Sequence, residues 1–166
     1  MAENPDRQAC RLARSHVLRL RQRSAQSLHQ APGHTGQRAS ISQTYVAATE
    51  ADIAGYYTLV VGHVTRDEAP ERLAKGLPRH PVPVIILARL AVDQSWQGKG
   101  LGAALVVDAM RRVLQAADIA GVRAMVVQAK DETAQQFYEH LGFVRFPEKP
   151  LTLYRLLKDI RAMRDS

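Results

Sequence analysis

The 166-residue sequence has a single cysteine, few aromatic residues and no long hydrophobic run. The lone cysteine, Cys10, excludes an intramolecular disulfide framework and favours a reducing compartment. No stretch of 18 apolar residues occurs, and the first ten residues lack a signal-peptide core, so we expect a cytoplasmic protein with no membrane span. Because its six histidines never adopt a ligand spacing such as HxxxH, we also expect no metal site.

The remaining composition is typical of a globular domain. Hydrophobic residues make up 46% and charged residues 23% of the chain, which excludes an intrinsically disordered or collagen-like protein. The length is close to that of one ordinary domain, and it suffices to bury a sizeable core. No period of 20–50 residues repeats, which excludes a solenoid.

Positive charge is concentrated towards the amino-terminal end. The chain has 23 Lys and Arg against 16 Asp and Glu, a formal net charge of +7. Residues 1–44 contain seven arginines and two acidic residues and so carry +5, which leaves +2 for the other 122 residues. A local basic excess is typical of a surface that binds a polyanion, and it is equally typical of a solubilising tail.

The order of apolar segments predicts one mixed α/β domain with the element order β-β-(α)-β-α-β-α-β-β. Residues 1–43 are predicted to form a basic helix and a loop. Residues 44–158 are predicted to form the folded domain, and residues 159–166 a polar tail.

Within the domain, two β-branched and aromatic runs, TYVAAT and GYYTLVVGHV, predict a hairpin. Two nearly continuous apolar runs, VIILARLAV and VRAMVVQA, predict strands that are buried on both faces. A long helix is predicted up to Gly121, and a second begins at an Asp131 N-cap and ends at Gly142. FVRF and TLYRLL are predicted to close the sheet.

The strongest functional signal is QGKGLG, which lies between the strand ending at Val92 and the long helix. Its three glycines remove Cβ atoms where the backbone has to turn sharply and approach a ligand. The free N–H groups at a helix N-terminus suit a phosphate, and Lys99 adds a positive charge. The spacing differs from both the GxxxxGK[ST] nucleotide loop and the GxGxxG dinucleotide fingerprint.

Gln97-x-x-Gly100-x-Gly102, followed later by AQQFYEHLGF, resembles the GNAT family of N-acetyltransferases over about residues 44–157. More narrowly, LPRHPVPVIILARLAVD and GVRAMVVQAKD are similar to the acetyltransferase toxins of toxin–antitoxin pairs. This resemblance implies a GNAT domain whose mixed sheet splays into a V-shaped cleft for acetyl-CoA. It also implies acetylation of the α-amine of aminoacyl-tRNA, which blocks translation, a homodimer, and a small antitoxin of ribbon-helix-helix type. Residues 1–40 do not match the start of those toxins.

The same resemblance implies that acetyl-CoA is held by the end of the central strand and the loop that follows it. The strand residues would pair with the pantetheine arm, and the N–H groups of the loop would hold the pyrophosphate. The residues implied are Leu90, Ala91, Val92, Gln97, Gly98, Lys99, Gly100, Leu101, Gly102 and Ala103.

Tyr138 is the predicted catalytic residue. A phenol with an ordinary pKa of ~10 can donate a proton or a hydrogen bond to the departing CoA thiolate. Helix geometry favours Phe137, Leu141 and Phe143 in the core and Tyr138 in the cleft; the alternative makes Tyr138 a core aromatic. VIILARLAV contains no carboxylate to serve as a general base. This favours an α-amine, with a pKa of ~7.7–8, over a lysine side chain at ~10.4.

The acceptor end of tRNA presents phosphates that arginine and lysine side chains contact. Arg79 is predicted to lie near the cleft mouth and Arg89 beside the central strand, where it could instead pair with an acidic side chain. The candidate contacts are Arg21, Arg23, Arg38, Arg79 and Arg89. Two other functions remain open at this point: an acetyltransferase for a small amine or a protein N-terminus, and a non-catalytic CoA-binding subunit.

Overall fold

The computed structural model describes residues 19–24, by their backbone, and residues 42–164. In this part of the chain, seven strands form one sheet in the order β1-β2-β3-β4-β5-β7-β6. The strands are β1 (Arg19–Ser24), β2 (Ser42–Ala48), β3 (Ile53–Val64), β4 (Val82–Val92), β5 (Ala124–Gln128), β6 (Val144–Arg145) and β7 (Thr152–Leu156). The helices are α1 (Glu71–Ala74), α2 (Leu101–Ala120), α3 (Glu132–His140) and α4 (Leu157–Arg164).

From β2 to β7 the elements follow the predicted order, and the β2–β3 hairpin is confirmed by antiparallel pairing. The sheet is mixed because β4 and β5 pair in parallel, with α2 as the crossover helix. The two predicted helix ends are also confirmed. Gly121 and Gly142 take the left-handed conformation, with φ of 63° and 82°.

Both ends of the chain differ from the prediction. Residues 19–24 form a strand instead of a helix, because pairing with the free edge of β2 satisfies their backbone and outweighs a weak helical propensity. The predicted tail at residues 159–166 is wrong up to Arg164, since α4 covers that segment. Leu157 and Ile160 are buried on one side of α4, and this apolar spacing holds it against the sheet.

Helices α2, α3 and α4 pack on one face of the sheet and form the main core with it. On the other face, Leu73 of α1 covers a second apolar cluster that includes Val82 of β4, Phe146 and Tyr154 of β7. Both β4 and β5 therefore lie between two apolar layers, as the continuous hydrophobic runs predicted, but β4 does so only in its first half.

The second half of β4 departs from its neighbour β5. The parallel pairing ends at Leu87, whereas β4 continues to Val92. A register shift against β3 lies at the same place, because Leu59 pairs with Leu87 and Thr58 with Arg89, which leaves Ala88 as a bulge. Ala88 and the residues after it are exposed or half-buried. The prediction of burial on both faces is thus wrong beyond Leu87, where β4 no longer pairs with β5 and a gap in the sheet begins.

Candidate active site

The exposed half of β4 has one paired edge and one open edge. Leu90, Ala91 and Val92 pair with β3 in register, and no described strand pairs with their other edge. Gly55 of β3 makes this close approach possible, since a Cβ there would lie 2.7 Å from the Ala91 carbonyl oxygen. The Val92 carbonyl accepts a hydrogen bond from Gln97 Nε2 at 3.1 Å, so Gln97 braces the end of the strand.

A short 3-10 turn, Gln94–Trp96, connects β4 to the glycine loop. Asp93 caps it by accepting a hydrogen bond from the Ser95 backbone N–H at 3.0 Å. Hydrogen bonds from Ser95 hold the pKa of the Asp93 carboxyl below its ordinary value. The Gln97 N–H closes the turn on the Gln94 carbonyl oxygen at 3.3 Å. The sequence analysis predicted that the Gln97 N–H would help to hold the pyrophosphate. Because this N–H is already bonded to Gln94, that part of the prediction is wrong.

The glycine loop of residues 98–103 is the candidate anion site. Gly98 and Gly100 have φ of 72° and 84°, a conformation that side chains disfavour. In the described chain, the N–H groups of residues 98–103 have no hydrogen-bond partner, and the Ala104 N–H is the first to close the helix, on Gly100. They point outward from the positive end of the 20-residue helix α2. A Cβ at Gly98 would meet nothing within 4 Å, so the space beside the loop is open.

Helix α2 is fixed on the sheet by a polar cluster that the sequence pattern did not reveal. The Tyr57 hydroxyl of β3 donates to the Asp108 carboxylate, to which Arg112 Nε also donates at 2.8 Å. The Arg112 guanidinium lies 4.0 Å from the ring centroid of Tyr45, which stacks on Tyr57. Burial, followed by the bond to Asp108, raises the pKa of Tyr57. The cluster holds the helix that presents the loop.

The two sequence motifs meet at Gly102. A Cβ at this position would lie 3.6 Å from Cζ of Phe137 on α3 and 3.7 Å from Cγ2 of Val92. Both distances are ordinary van der Waals contacts, so glycine is not sterically required here. Gly102 at the N-terminus of α2 therefore faces both Phe137 of α3 and Val92 of β4.

Tyr138 is more buried than expected. Its side chain is 7% exposed and contacts Phe137 and Phe143 edge to face, with ring centroids 5.1 and 5.7 Å away. Phe137 is the half-buried residue of the pair, so the prediction that Phe137 would be in the core and Tyr138 free in the cleft is wrong. The reason is the helical face, since Tyr138 shares a side of α3 with Leu141.

Burial raises the pKa of Tyr138 to about 12. Its hydroxyl has no hydrogen-bond partner among the residues that the structure describes. The group is therefore protonated at neutral pH and keeps its donor for a ligand.

Both ends of α3 are held in place. At its start the Asp131 carboxylate accepts from the Ala134 N–H at 2.8 Å, which confirms the predicted N-cap. At its end the Arg155 guanidinium of β7 donates to the Leu141 carbonyl. A Cβ at Gly142 would lie 2.8 Å from Arg155 Cζ. The sequence signal for Arg155 was available, because it is the one charged residue in the apolar run TLYRLL.

The five candidate arginines are placed differently. Arg89 is exposed and makes no ion pair with any described residue, so the alternative of a structural partner is not found. Arg79 precedes the amino end of β4, whereas the glycine loop follows the carboxyl end of this strand. The 11 residues of β4 between them span ~33 Å along the strand. Arg79 therefore lies at the opposite end of β4 from the glycine loop, and its contact with tRNA stays a prediction. Arg38 lies outside the described residues.

Arg21 and Arg23 lie on β1. The strand register places Arg23 in the same row of paired residues as Arg89 of β4. Arg23 pairs with Thr44, Thr44 with Thr58, and Thr58 with Arg89. Directly paired residues lie on the same face of a sheet. The two threonine hydroxyls in this row are 2.9 Å apart. The row therefore runs through the backbones of β1, β2 and β3 and ends at Arg89 in the half of β4 that does not pair with β5.

Comparison with known proteins identifies the family. The family model of the acetyltransferase (GNAT) domain matches residues 40–145. A tRNA-acetylating toxin of Mycobacterium tuberculosis is 44% identical over 122 residues, which cover 74% of this chain and 73% of the relative. The chain belongs to the GNAT acetyltransferase family. The predicted fold class and acetyl-CoA-dependent N-acetyltransferase activity are thereby confirmed.

Two solved structures are similar to this GNAT domain. One is AtaT complexed with acetyl-methionyl-tRNAfMet, with 32% identity and a TM-score of 0.69; the match covers 75% of this chain and 76% of that one. The other is a tyrosine-to-phenylalanine mutant of the AtaT toxin, bound to the C-terminus of the antitoxin AtaR and to acetyl-CoA. Its identity is 33% and its TM-score 0.62, and the match covers 76% and 74% of the two chains.

The described residues have neither a membrane-spanning helix nor a metal-binding cluster. None of the helices between residues 42 and 164 is long and apolar enough to cross a membrane. The same residues include no group of three or more His, Cys, Asp or Glu side chains that could hold a metal ion.

Proposed function

We propose that this chain transfers the acetyl group of acetyl-CoA to the α-amine of aminoacyl-tRNA and acts as a translation-blocking toxin. The observation that carries the proposal is the 44% identity to a tRNA-acetylating toxin over 74% of the chain. The similarity to AtaT, a protein solved with acetyl-methionyl-tRNAfMet, also supports it.

Acetyl-CoA fits the site because the open edge of β4 is followed directly along the chain by the N–H groups of the glycine loop. An extended arm and a pyrophosphate could therefore be bound side by side. The N–H groups of residues 98–103 would hold the pyrophosphate, with Lys99 as an added charge. The open edge at Leu90 and Ala91 would pair with the pantetheine arm. Val92 contributes less to pantetheine binding than the sequence predicted, because its carbonyl oxygen already accepts a hydrogen bond from Gln97. When bound, acetyl-CoA supplies the activated thioester.

The acceptor amine requires no strong base in this site. Strand β4 contains no carboxylate, and Asp93 is a poor proton acceptor because its pKa is lowered by its bonds to Ser95. About a tenth of an α-amine with a pKa of ~8 is deprotonated at neutral pH, whereas a lysine side chain at ~10.4 is about 200-fold less so. The site therefore favours an α-amine, which attacks the thioester carbonyl directly.

Tyr138 stabilises the leaving group. Attack forms the N–C bond, the C–S bond then breaks, and the nitrogen gives up a proton to solvent. Full transfer of the Tyr138 proton, at a pKa of about 12, to a thiolate of pKa ~8.5 would cost ~5 kcal/mol. The phenol therefore donates a hydrogen bond to the thiolate and retains its proton.

The basic residues and the partners complete the proposal. Arg89 would contact phosphates of the tRNA acceptor end, together with Arg21 and Arg23 of the paired strand β1. We also propose a homodimer in the cytoplasm that is inhibited by a small antitoxin of ribbon-helix-helix type. The structure of an AtaT mutant with the C-terminus of the antitoxin AtaR supports an antitoxin as a partner.

The test supplies labelled acetyl-CoA together with three acceptors: aminoacylated tRNA, the same tRNA without its amino acid, and a peptide with a free N-terminus. We expect label on the aminoacylated tRNA alone, and its rate falls steeply as salt rises. Label on the peptide with none on charged tRNA would refute the substrate assignment.

A further inference from the structure

We propose that Trp96 is a positioning residue for Lys99, and that its indole face holds the lysine ammonium beside the glycine loop for a phosphate of acetyl-CoA. Lys99 Nζ lies 5.4 Å from the centroid of the Trp96 ring. This is within the ~6 Å range of cation–π attraction, for which tryptophan is the best partner. The inference rests on the proposed acetyl-CoA site at residues 98–103 and adds a residue to it.

The Trp96 side chain is held in place by packing and by the turn on which it lies. Trp96 is the last residue of the 3-10 turn, and its backbone N–H donates to the Asp93 carbonyl oxygen at 2.9 Å. The indole is half-buried and packs against the main core. The Asp93 cap on Ser95 stabilises the start of the same turn. These contacts hold the ring on the turn that leads into the glycine loop.

The position of the Lys99 ammonium depends on the Trp96 ring. The Lys99 side chain is exposed, and its ammonium makes no ion pair or hydrogen bond with any residue that the structure describes, so the Trp96 ring is what holds it. Gly98 and Gly100 on either side of it have left-handed backbone conformations, which set where the side chain leaves the loop. A long lysine side chain samples many rotamers when nothing holds it. The indole reduces that freedom and holds the ammonium over the ring of Trp96, two positions before the glycine loop begins.

The chemistry favours a phosphate as the group recognised. The N–H groups of residues 98–103 and the positive end of α2 already attract an anion. An ammonium held beside them adds attraction without the entropy cost of ordering the side chain on binding. Since the contact is exposed, we expect it to strengthen binding by about two- to five-fold. The pyrophosphate is the phosphate assigned, because Lys99 lies inside the loop.

The test is a double-mutant cycle on CoA affinity, measured by calorimetry without tRNA. Trp96→Leu is expected to weaken CoA binding about two- to five-fold, whereas Trp96→Phe, which keeps a ring face, weakens it less. In the Lys99→Met background, Trp96→Leu should have no further effect. An equal loss in both backgrounds, or no loss in either, would overturn the proposal. Thermal melting of each variant separates loss of affinity from loss of fold.

Two further measurements make the test specific. Because the chain contains one tryptophan, its fluorescence reports Trp96 alone, and the unliganded emission should differ between the native chain and Lys99→Met. Identical spectra would contradict the contact. Dephospho-CoA, which lacks the 3′-phosphate, should show the same dependence on Lys99; loss of that dependence would overturn the pyrophosphate assignment. Neither result depends on tRNA, so a failure of the proposed acceptor is recognised separately.

Discussion

The substitution Tyr138→Phe removes the hydroxyl that we assign to the leaving thiolate and little else. Within the described chain this hydroxyl has no hydrogen-bond partner, and the ring is held by Phe137 and Phe143. The change leaves no polar group without a partner, so we expect the free energy of unfolding to stay within ~0.5 kcal/mol of the native value. A hydrogen bond to a charged group contributes ~1.5–3 kcal/mol, which predicts a ~10- to 150-fold lower kcat.

The assay follows acetylation of aminoacyl-tRNA under saturating acetyl-CoA, with acetyl-CoA affinity measured separately. Affinity should be unchanged, because the hydroxyl serves the leaving group and not the bound co-substrate. Tyr154→Phe is the matched control, since Tyr154 is equally buried but lies in the second cluster on the other face of the sheet. A kcat for Tyr138→Phe within twofold of the native enzyme would refute the assignment.

Three other predictions concern the loop, the pH profile and the tRNA. Gly98→Ala should weaken CoA binding roughly tenfold because its φ of 72° disfavours a side chain, whereas Gly102→Ala should bind CoA normally because its Cβ has room; equal calorimetric affinities would contradict this contrast. The rate kcat/KM should rise with pH as the α-amine loses its proton near pH ~8. It should show no decline from Tyr138 before about pH 12, because burial raises that pKa; a decline near pH 10 that Tyr138→Phe abolishes would be inconsistent with it. Arg89→Gln should raise KM for charged tRNA and flatten its salt dependence by about one unit of log–log slope, and an unchanged slope would dissociate Arg89 from the RNA.

Local signals made the central part of the chain predictable. QGKGLG lies between a buried strand and a long helix, and each of these has a strong pattern of its own. The Asp131 cap and the glycines at 121 and 142 are local stereochemical signals as well. These features specify the anion site and the ends of the helices without knowledge of distant contacts.

The features that were missed depend on tertiary contacts. Strand β1 forms because β2 offers a free edge, and no pattern within residues 19–24 reports that edge. The exposure of Phe137 and Tyr138 depends on where α3 meets the N-terminus of α2. The end of burial at Leu87 depends on where β5 stops pairing. In each case the deciding neighbour is far away in sequence.

The central claim is that the acetyl group is transferred to the α-amine of aminoacyl-tRNA. The most direct measurement is mass spectrometry of the aminoacyl-adenosine released by nuclease from charged tRNA after incubation with enzyme and acetyl-CoA. The account predicts an N-acetylated amino acid on that adenosine, with the product reduced in the Tyr138→Phe enzyme. An unmodified aminoacyl-adenosine, under conditions in which acetyl-CoA is consumed on another amine, would contradict it.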